Sequence, residues 1–571
     1  MRTARALALA FLAGSAEAKP RERPSWVLGD PVFAAAEAEL LRSLSRLSVE
    51  GTRPYDLSYR IVDQRRVQAA ASFGALKSSS EERRRLASAD LRVGSPAFDN
   101  THFLGSDGGG HSPFTISAPY EDGVNGLRHA LWWLTDAAFK GSLQRYSQKD
   151  AFRRTKSVRA DLPDRTPAPV TVLDASSRPP PLERGRAEET ARRASRAFTG
   201  TPGLHGSRVT VSYTESSERF LDAEGRRVRK DGDDYDVLLT AWTQAPDGMS
   251  LSEQRRLIAG RPEGLPTDEA VEAEARALAA ELGALRAAGR LEETYIGPVL
   301  FEGQAAGEFF NQLLARGLAA PRELWLEDEG LREDHAAGPL TGRLGLRVMN
   351  PILGAYDDPT QAAFASRPLA GHYMVDDEGV PARRVDLVER GILKDLLMGR
   401  APAHERSASN GHARAALEQL PSARIGCLFV DASSGVPRAR LRAELLRLAA
   451  EQGLPFAVVV RRLGVEEEQR PGELLAAPVY AFKLYPDGRE QVFRGGLFDA
   501  VTLRALRDVS VASSERRVYD FYQGAPYGNG DDDVPASIVH PDVVVAEMEL
   551  VPEEREPDRL PYLASPLAAK R

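Results

Sequence analysis

The chain has 571 residues, of which 42% are hydrophobic and 27% are charged. This composition is typical of a folded chain, and the length allows about two to four domains. The formal net charge of −7 argues against a nucleic-acid-binding protein, which would carry a basic excess. The one cysteine, Cys427, excludes an intrachain disulfide, and its apolar neighbours predict a small buried side chain.

The first residues have the pattern of an export signal. Arg2 and Arg5 precede an apolar stretch over residues 6–14, and Ala16-Glu17-Ala18 has the small-x-small form of a cleavage site. The pattern predicts a signal peptide over residues 1–18, cleaved near Ala18, and a periplasmic or extracellular protein. The alternative is an alanine-rich start of a cytosolic protein. No other segment approaches the ~20 apolar residues of a membrane span.

The fold class predicted for the rest of the chain is α+β. Residues 19–158 predict an N-terminal α/β domain, 159–185 a linker with six prolines, 186–290 a central domain and 291–571 a β-rich C-terminal domain. The apolar spacing predicts particular elements, in chain order: strands over 54–91 that turn at Gln64-Arg65 and at 77–80, a helix over 124–146, a helix over 190–198, strands at 209–213 and 237–242, and helices over 267–288 and 437–451.

Several motifs carry a resemblance to a known family. Residues 295–306 read as an apolar strand, a turn and a helix start, and 375–394 read as two strands with turns at Asp376-Asp377-Glu378-Gly379 and Gly391-Ile392-Leu393-Lys394. Ser409–Arg414 forms a third motif. Together they resemble the TldD/PmbA metallopeptidase family over most of the chain. The segments at 54–60 and 92–101 are similar to a subgroup with export signals.

In that register, the family's His-Glu-x-x-x-His helix falls on Asn311, Gln312 and Arg316, and its cysteine ligand falls near Tyr527. Ligands about one turn apart share one helix face, but an amide is a poor zinc donor and a guanidinium has no lone pair. Gln312 has no titratable group and cannot act as a general base. The pattern predicts a chain with no metal and no cofactor.

The resemblance therefore implies a non-catalytic, PmbA-like or TldE-like subunit. Such a subunit would bind an extended peptide, with Asn311, Gln312 and Arg316 as the candidate contacts, and strand addition is the expected mode. It would act in proteolysis as a homodimer, or as a heterodimer with a TldD-like catalytic subunit. Arg316 either meets a peptide carboxylate or extends its head group into solvent.

Two other functions stay open. One is a peptidase with a site rebuilt from His412, Asp376 and Asp377, although no nucleophile and base are evident. The other is a structural envelope protein. The nine histidines show no paired spacing, so a new metal site would require tertiary convergence. The segments Gly108-Gly109-Gly110 and Asp531-Asp532-Asp533 are interpreted as a glycine-rich loop and a solvated acidic loop.

Overall fold

The structure is a computed structural model that describes residues 24–107, 109–158, 161–177, 181–320, 322–331, 338–403, 408–465, 474–524, 533–554, 558–561 and 563. Residues 1–18 lie outside this part of the chain, so the signal peptide stays a prediction. Two large sheets and several helices confirm the α+β class. None of the helices in the described ranges combines the length and apolar character needed to cross a membrane.

The helices are α1 (Ser25–Leu28), α2 (Pro31–Arg46), α3 (Val124–Lys156), α4 (Arg184–Arg196), α5 (Asp268–Ala287), α6 (Gln304–Phe310), α7 (Arg316–Leu318), α8 (Arg438–Glu451) and α9 (Arg504–Arg507). A π-helical turn spans Asn311–Ala315, and short 3-10 turns span Pro262–Gly264 and Glu329–Leu331. The helices predicted over 124–146, 190–198, 267–288 and 437–451 correspond to α3, α4, α5 and α8, of which α3 continues to Lys156.

The strands are β1 (Pro54–Ser72), β2 (Ala75–Ser95), β3 (Phe98–Asp99), β4 (Phe103–Leu104), β5 (Phe114–Ala118), β6 (Val172–Ala175), β7 (Leu204–Asp222), β8 (Arg227–Asp231), β9 (Asp234–Gln244), β10 (Ser250–Ala259), β11 (Gly289–Arg290), β12 (Tyr295–Phe301), β13 (Trp325–Leu326), β14 (Leu353–Asp357), β15 (Ala363–Phe364), β16 (Arg367–Pro368), β17 (Val385–Glu389), β18 (Ile392–Leu393), β19 (Ala413–Arg414), β20 (Ser422–Ala423), β21 (Cys427–Ala432), β22 (Ala457–Leu463), β23 (Pro478–Leu484), β24 (Glu490–Arg494), β25 (Gly496–Asp499), β26 (Val509–Gln523) and β27 (Val534–Pro552).

The first sheet has the order β10-β9-β7-β1-β2-β3, with β5 on β2, β8 on β7 and β6 on β8. Its centre is one long hairpin of β1 and β2 that turns at Phe73-Gly74, where both residues have positive φ. The turns predicted at Gln64-Arg65 and at 77–80 are therefore wrong. Gln64 and Arg65 lie inside β1 and pair with β2, and Arg65 forms an ion pair with Glu81 across the strands. Their polarity reflects such cross-strand contacts and not a turn, since Arg84 Nε of β2 also donates to Gln64 Oε1 at 2.8 Å.

Strands from both sides of the predicted linker share this sheet. Ser58 of β1 pairs with Asp222 of β7, and the pairing continues to Ala71 and Val209. Within the linker itself, β6 pairs with β8, and Asp164, Arg165 and Thr166 are buried. The structure thus joins residues predicted as separate N-terminal and central domains, because strands far apart in sequence pair, and proline content reports only local conformation.

The two faces of this sheet have different neighbours. Tyr59 and Ile61 of β1 pack in one core with α2 and α3, and Val67 and Ala69 pack in another core with α4 and α5. Because successive side chains of a strand point to opposite faces, Arg60, Val62 and Gln64 lie on the face away from these helices. That face turns toward the C-terminal part of the chain.

The second sheet has the order β11-β24-β23-β22-β12-β27-β21-β14-β17-β18, with β25 and β26 paired to β27. Val299 and Phe301 of β12 pack with α6 and the π-helical turn, whereas Leu300 between them packs with α8. The sheet therefore lies between two helical layers. One of these layers contains the segment that the sequence singled out as a former zinc helix.

Candidate functional site

The candidate residues Asn311, Gln312 and Arg316 lie on one continuous helix, here called the site helix, which comprises α6, the π-helical turn and α7 over residues 304–318. Gly303, with φ of 64°, connects it to β12. A Cβ added to Gly307 would lie 2.5 Å from Tyr519 Cβ, so a glycine is needed where the site helix meets β26. Single π-helical turns inside α-helices are frequent at functional sites. Sequence spacing gave no sign of this turn.

Gln312 connects the site helix to a distant segment of the chain. Its side chain is 7% exposed, its Nε2 donates to the carbonyl oxygen of Gly464 at 3.0 Å, and its Oε1 accepts from the backbone N–H of Ala476 at 2.8 Å. A glutamate at this position would lose the donor and place a carboxylate against the carbonyl oxygen of Gly464. Gln312 is therefore suited to forming hydrogen bonds with the backbone of Gly464 and Ala476, and not to accepting a proton from water.

Glu308 strengthens this connection one turn earlier. Its Oε2 accepts from the backbone N–H of Leu463 at 2.6 Å, and its Oε1 accepts from Gln304 Nε2 at 2.8 Å. Burial raises the pKa of Glu308 above its usual value. Glu308 and Gln312 together fix the end of β22 against the site helix.

The residues at the ligand positions do not fit a zinc ion. Asn311 is half-buried and offers an amide, and Arg316 is exposed and offers a guanidinium with no lone pair. Tyr527, predicted at the position of the third ligand, lies outside the described residues, as do Gly108, Asp531 and Asp532. The donor set that the structure does describe therefore lacks the imidazole, thiolate and carboxylate groups that zinc prefers.

A cleft of about 640 Å³ lies between the first sheet and the loops of the C-terminal part. Its floor is the helix-free face of the sheet and includes Arg60, Val62 and Gln64. Its roof comprises residues 368–375, 414–419 and 533–535. Asn311, Gln312 and Arg316 do not line this cleft. Their assignment to peptide contacts stays a prediction.

Asp377 joins the floor of the cleft to its roof. It accepts hydrogen bonds from Lys230 Nζ at 2.6 Å and from the backbone N–H of Ala415 at 2.8 Å, and Arg60 Nη2 lies at 3.7 Å. Burial acts to raise the pKa of Asp377, but Lys230, Arg60 and Arg414 hold that pKa well below its usual range. Asp377, in the acidic turn predicted from the sequence, is thus an ionised connection between the two parts of the molecule.

The two motifs at 376–379 and 409–414 meet beside this cleft. Asp376 Oδ2 accepts from the N–H of Ala413 at 3.1 Å, and its Oδ1 accepts from the N–H of Val380 at 2.8 Å. The sequence identified both motifs but could not show their contact, or the contribution of Lys230 and Arg60 from the first sheet.

His412, proposed as part of a rebuilt hydrolytic site, is fully buried. Its Nε2 contacts Asp357 Oδ1 at 3.1 Å, and its Nδ1 contacts Asn410 Oδ1 at 3.0 Å and the Asn410 carbonyl oxygen at 3.1 Å. Within the described chain, no hydroxyl or thiol forms a hydrogen bond with the ring. Asp376 and Asp377 are occupied by backbone N–H groups and cations. These three residues therefore form a scaffold without a nucleophile.

A cluster of Asp99, His102 and Asp164 was not predicted from the sequence, since Asp164 lies 62 residues after His102. Their potential ligand atoms all lie within 4.8 Å of one another. However, Lys149 Nζ donates to Asp164 Oδ2 at 2.6 Å, and Arg92 Nη1 lies 3.3 Å from Asp99 Oδ2. These cations already compensate the two carboxylates, so the cluster is an ion-pair network. Elsewhere, Cys427 is fully buried, as predicted, and burial raises the pKa of its thiol.

Comparison with known proteins agrees with this architecture. Residues 293–451 match a family model described as the PmbA/TldA metallopeptidase C-terminal domain. The chain is 26% identical over 312 residues to a metalloprotease of Methanothermobacter thermautotrophicus, covering 53% of this chain and 63% of the relative. It is 29% identical over 133 residues to a metalloprotease of Archaeoglobus fulgidus, covering 23% of this chain and 28% of the relative. The aligned part is thus less than two thirds of either relative.

Two solved structures share the fold. TldE from Thermococcus kodakarensis superposes with a TM-score of 0.58 at 14% identity, covering 90% of this chain and 100% of that one. A Thermotoga maritima protein, described as a putative modulator of a DNA gyrase, superposes with a TM-score of 0.58 at 14% identity. The match covers 91% of this chain and 100% of that one. The fold and the matched C-terminal domain define a metallopeptidase-like α+β protein. The match over residues 293–451 places the C-terminal part of the chain in the TldD/PmbA family.

Proposed function

We propose that this protein is a non-catalytic, TldE-like member of its family that binds extended peptides and acts in proteolysis with a catalytic partner. The observation that carries the proposal is the state of the site helix. Asn311 and Arg316 stand at the ligand positions, and the carboxamide of Gln312 is bonded at both ends to backbone. None of the side chains at these three positions offers a good zinc donor or a base that activates water.

The cleft between the first sheet and the C-terminal loops supports peptide binding. Its volume of about 640 Å³ accommodates several residues of an extended chain, and its lining combines apolar Val62 and Leu86 with charged side chains of both signs. At the side of the cleft, the outer edge of β2 from Ala75 to Arg84 pairs with no strand in the described chain. Arg84 also lines the cleft. A peptide can therefore add to this edge by strand pairing.

Peptide titration of a variant whose cleft is filled by a larger side chain tests whether the protein binds peptide in this cleft. Ala416→Trp places a large side chain in the cleft, and Ala439→Trp makes the same substitution at an exposed position of α8. A labelled extended peptide should bind the wild type and Ala439→Trp equally, and Ala416→Trp at least about tenfold more weakly. Equal affinity in all three would remove the cleft as the peptide site.

Zinc content tests the non-catalytic part. The purified protein should hold no stoichiometric zinc after dialysis and should cleave no peptide alone, because the described ligand positions lack suitable donors. Elemental analysis and a peptidase assay with and without a chelator measure both. About one zinc per chain, lost together with activity on chelation, would contradict this part while leaving the peptide titration to be judged separately.

A further inference from the structure

A second cavity, separate from the peptide cleft, lies at the start of the site helix. Its volume is about 300 Å³, and β10, α5, α8 and β22 contribute to its walls. It shares no lining residue with the cleft. Its side chains are mostly charged: the arginines are Arg255, Arg438, Arg461, Arg462 and Arg517, and the carboxylates are Glu281, Glu302 and Asp542.

The carboxylates in the wall are already neutralised by arginines. Glu302 Oε1 accepts from Arg461 Nε at 2.6 Å. Asp542 Oδ2 accepts from Arg438 Nε at 2.7 Å, and its Oδ1 accepts from the N–H of Gly303 at 2.9 Å. Glu281 is paired with Arg255 through Oε1, whereas its Oε2 has no hydrogen-bond donor among the described residues and lies 3.7 Å from Arg462 Nη1. Five arginines of the lining face its three carboxylates, and two carboxylates outside the lining, Glu274 and Glu490, pair with Arg255 and Arg461.

Arg462 is the deepest of these cations and is only 5% exposed. Its Nη2 donates to the carbonyl oxygen of Gln254, but its Nε and Nη1 have no hydrogen-bond acceptor among the described residues. The carboxylates of Glu253 and Glu281 each lie 3.7 Å away, beyond hydrogen-bond distance. Burial raises the pKa of Glu253 to about 7, so at neutral pH this residue compensates Arg462 only in part.

Two other arginines that line this cavity also have a buried donor without an acceptor in the described chain. Arg255 Nε and Arg438 Nη2 are buried and lack a hydrogen-bond acceptor within the described ranges of the chain. Together with Arg462, these groups come from β10, α8 and β22, three elements that line this cavity. Buried donors are normally satisfied, so such a concentration in one cavity points to a ligand rich in acceptor oxygens.

We propose that this cavity binds a small oxyanion of the phosphate or sulfate class. A tetrahedral oxyanion presents oxygens in several directions, as donors from three elements require, whereas a carboxylate presents two oxygens in one plane. The guanidinium fork also matches phosphate oxygens and stays charged at any physiological pH. The ligand would connect the first sheet to the start of the site helix.

Calorimetric titration of the whole chain with inorganic phosphate, at constant ionic strength in chloride, tests the proposal. Arg517 is an exposed residue of β26, so Arg517→Gln should fold normally. We expect saturable binding to the wild type and about tenfold weaker binding to Arg517→Gln and Arg438→Gln, since each loses a charge-assisted hydrogen bond. Arg440→Gln removes an exposed arginine of α8 that does not line the cavity, and it should bind like the wild type.

Parallel titrations with sulfate, O-phosphoserine and acetate define the ligand. Phosphoserine that binds as well as phosphate would show that the cavity accepts a phosphate carried by an organic molecule, and binding of phosphate alone would assign the site to the free ion. Either result supports the proposal. No saturable binding of phosphate in the millimolar range, equal affinities of Arg517→Gln and Arg440→Gln, or acetate binding as tight as phosphate would overturn it.

Discussion

Gln312 Nε2 donates a hydrogen bond to the carbonyl oxygen of Gly464 at 3.0 Å, across 152 residues of sequence. Its Oε1 accepts from Ala476 N–H at the other end of the same segment. This arrangement occupies the position at which the family resemblance places a catalytic glutamate. The site helix has therefore kept its place in the fold, and the side chain at this position serves packing and backbone hydrogen bonding.

Gln312→Glu should destabilise the protein, because the carboxylate loses a donor and faces a carbonyl oxygen in a buried position. We expect the free energy of unfolding to fall by about 1–3 kcal/mol, measured by urea denaturation at neutral pH. Gln452→Glu is the matched control, since the exposed Gln452 also donates to a carbonyl oxygen, that of Ala546 at 3.1 Å. A loss no greater at Gln312 than at Gln452 would contradict the structural role of the buried amide.

How much of this site the sequence could predict depends on the range of the interactions. The apolar spacing after Pro437 predicted a helix over 437–451, and α8 spans Arg438–Glu451, because helix periodicity is local. The polar residues Gln64 and Arg65 suggested a turn, whereas the partners that make them part of a strand lie elsewhere in the chain. The hydrogen bonds from Gln312 to Gly464 and Ala476 are equally non-local. The alignment of the motif could therefore locate Gln312 but could not show which groups its side chain contacts.

Acid should weaken the contact between the site helix and β27 through His540. Burial lowers the pKa of His540 to about 4, and Phe310 of the site helix lies against its ring. The folded pKa is below the unfolded value of about 6.5, so the folded state binds the proton less well than the unfolded state. The stability from the neutral ring is thus complete above pH of about 6.5 and is lost as the pH falls toward about 4.

We expect this loss to reach about 3 kcal/mol, because the pKa falls from about 6.5 in the unfolded chain to about 4 in the folded protein and each tenfold change in proton affinity corresponds to about 1.4 kcal/mol. Urea denaturation of wild type and His540→Gln between these pH values measures it, and the variant should show a correspondingly smaller slope of unfolding free energy against pH. Identical slopes would mean that His540 does not titrate in this window.

The N-terminal pattern predicts that the native protein begins near Lys19, outside the cytoplasm. Arg2 and Arg5 come before an apolar stretch, and Ala16-Glu17-Ala18 has the small-x-small form of a signal-peptidase site. N-terminal sequencing of the protein from fractionated cells of its own host measures both properties. Protein that retains Met1 and stays in the cytosolic fraction would refute export.

Arg316→Ala tests whether the peptide binds at the site helix or in the cleft. Arg316 is exposed and does not line the cleft, so its removal should leave both the melting temperature and the affinity for an extended peptide close to those of the wild type. The measurement is a peptide titration with thermal unfolding of the same samples, and Ala416→Trp provides a variant in which binding should fall. A loss of about tenfold or more in Arg316→Ala, without a change in melting temperature, would instead place a peptide carboxylate at this guanidinium and return the binding site to the helix.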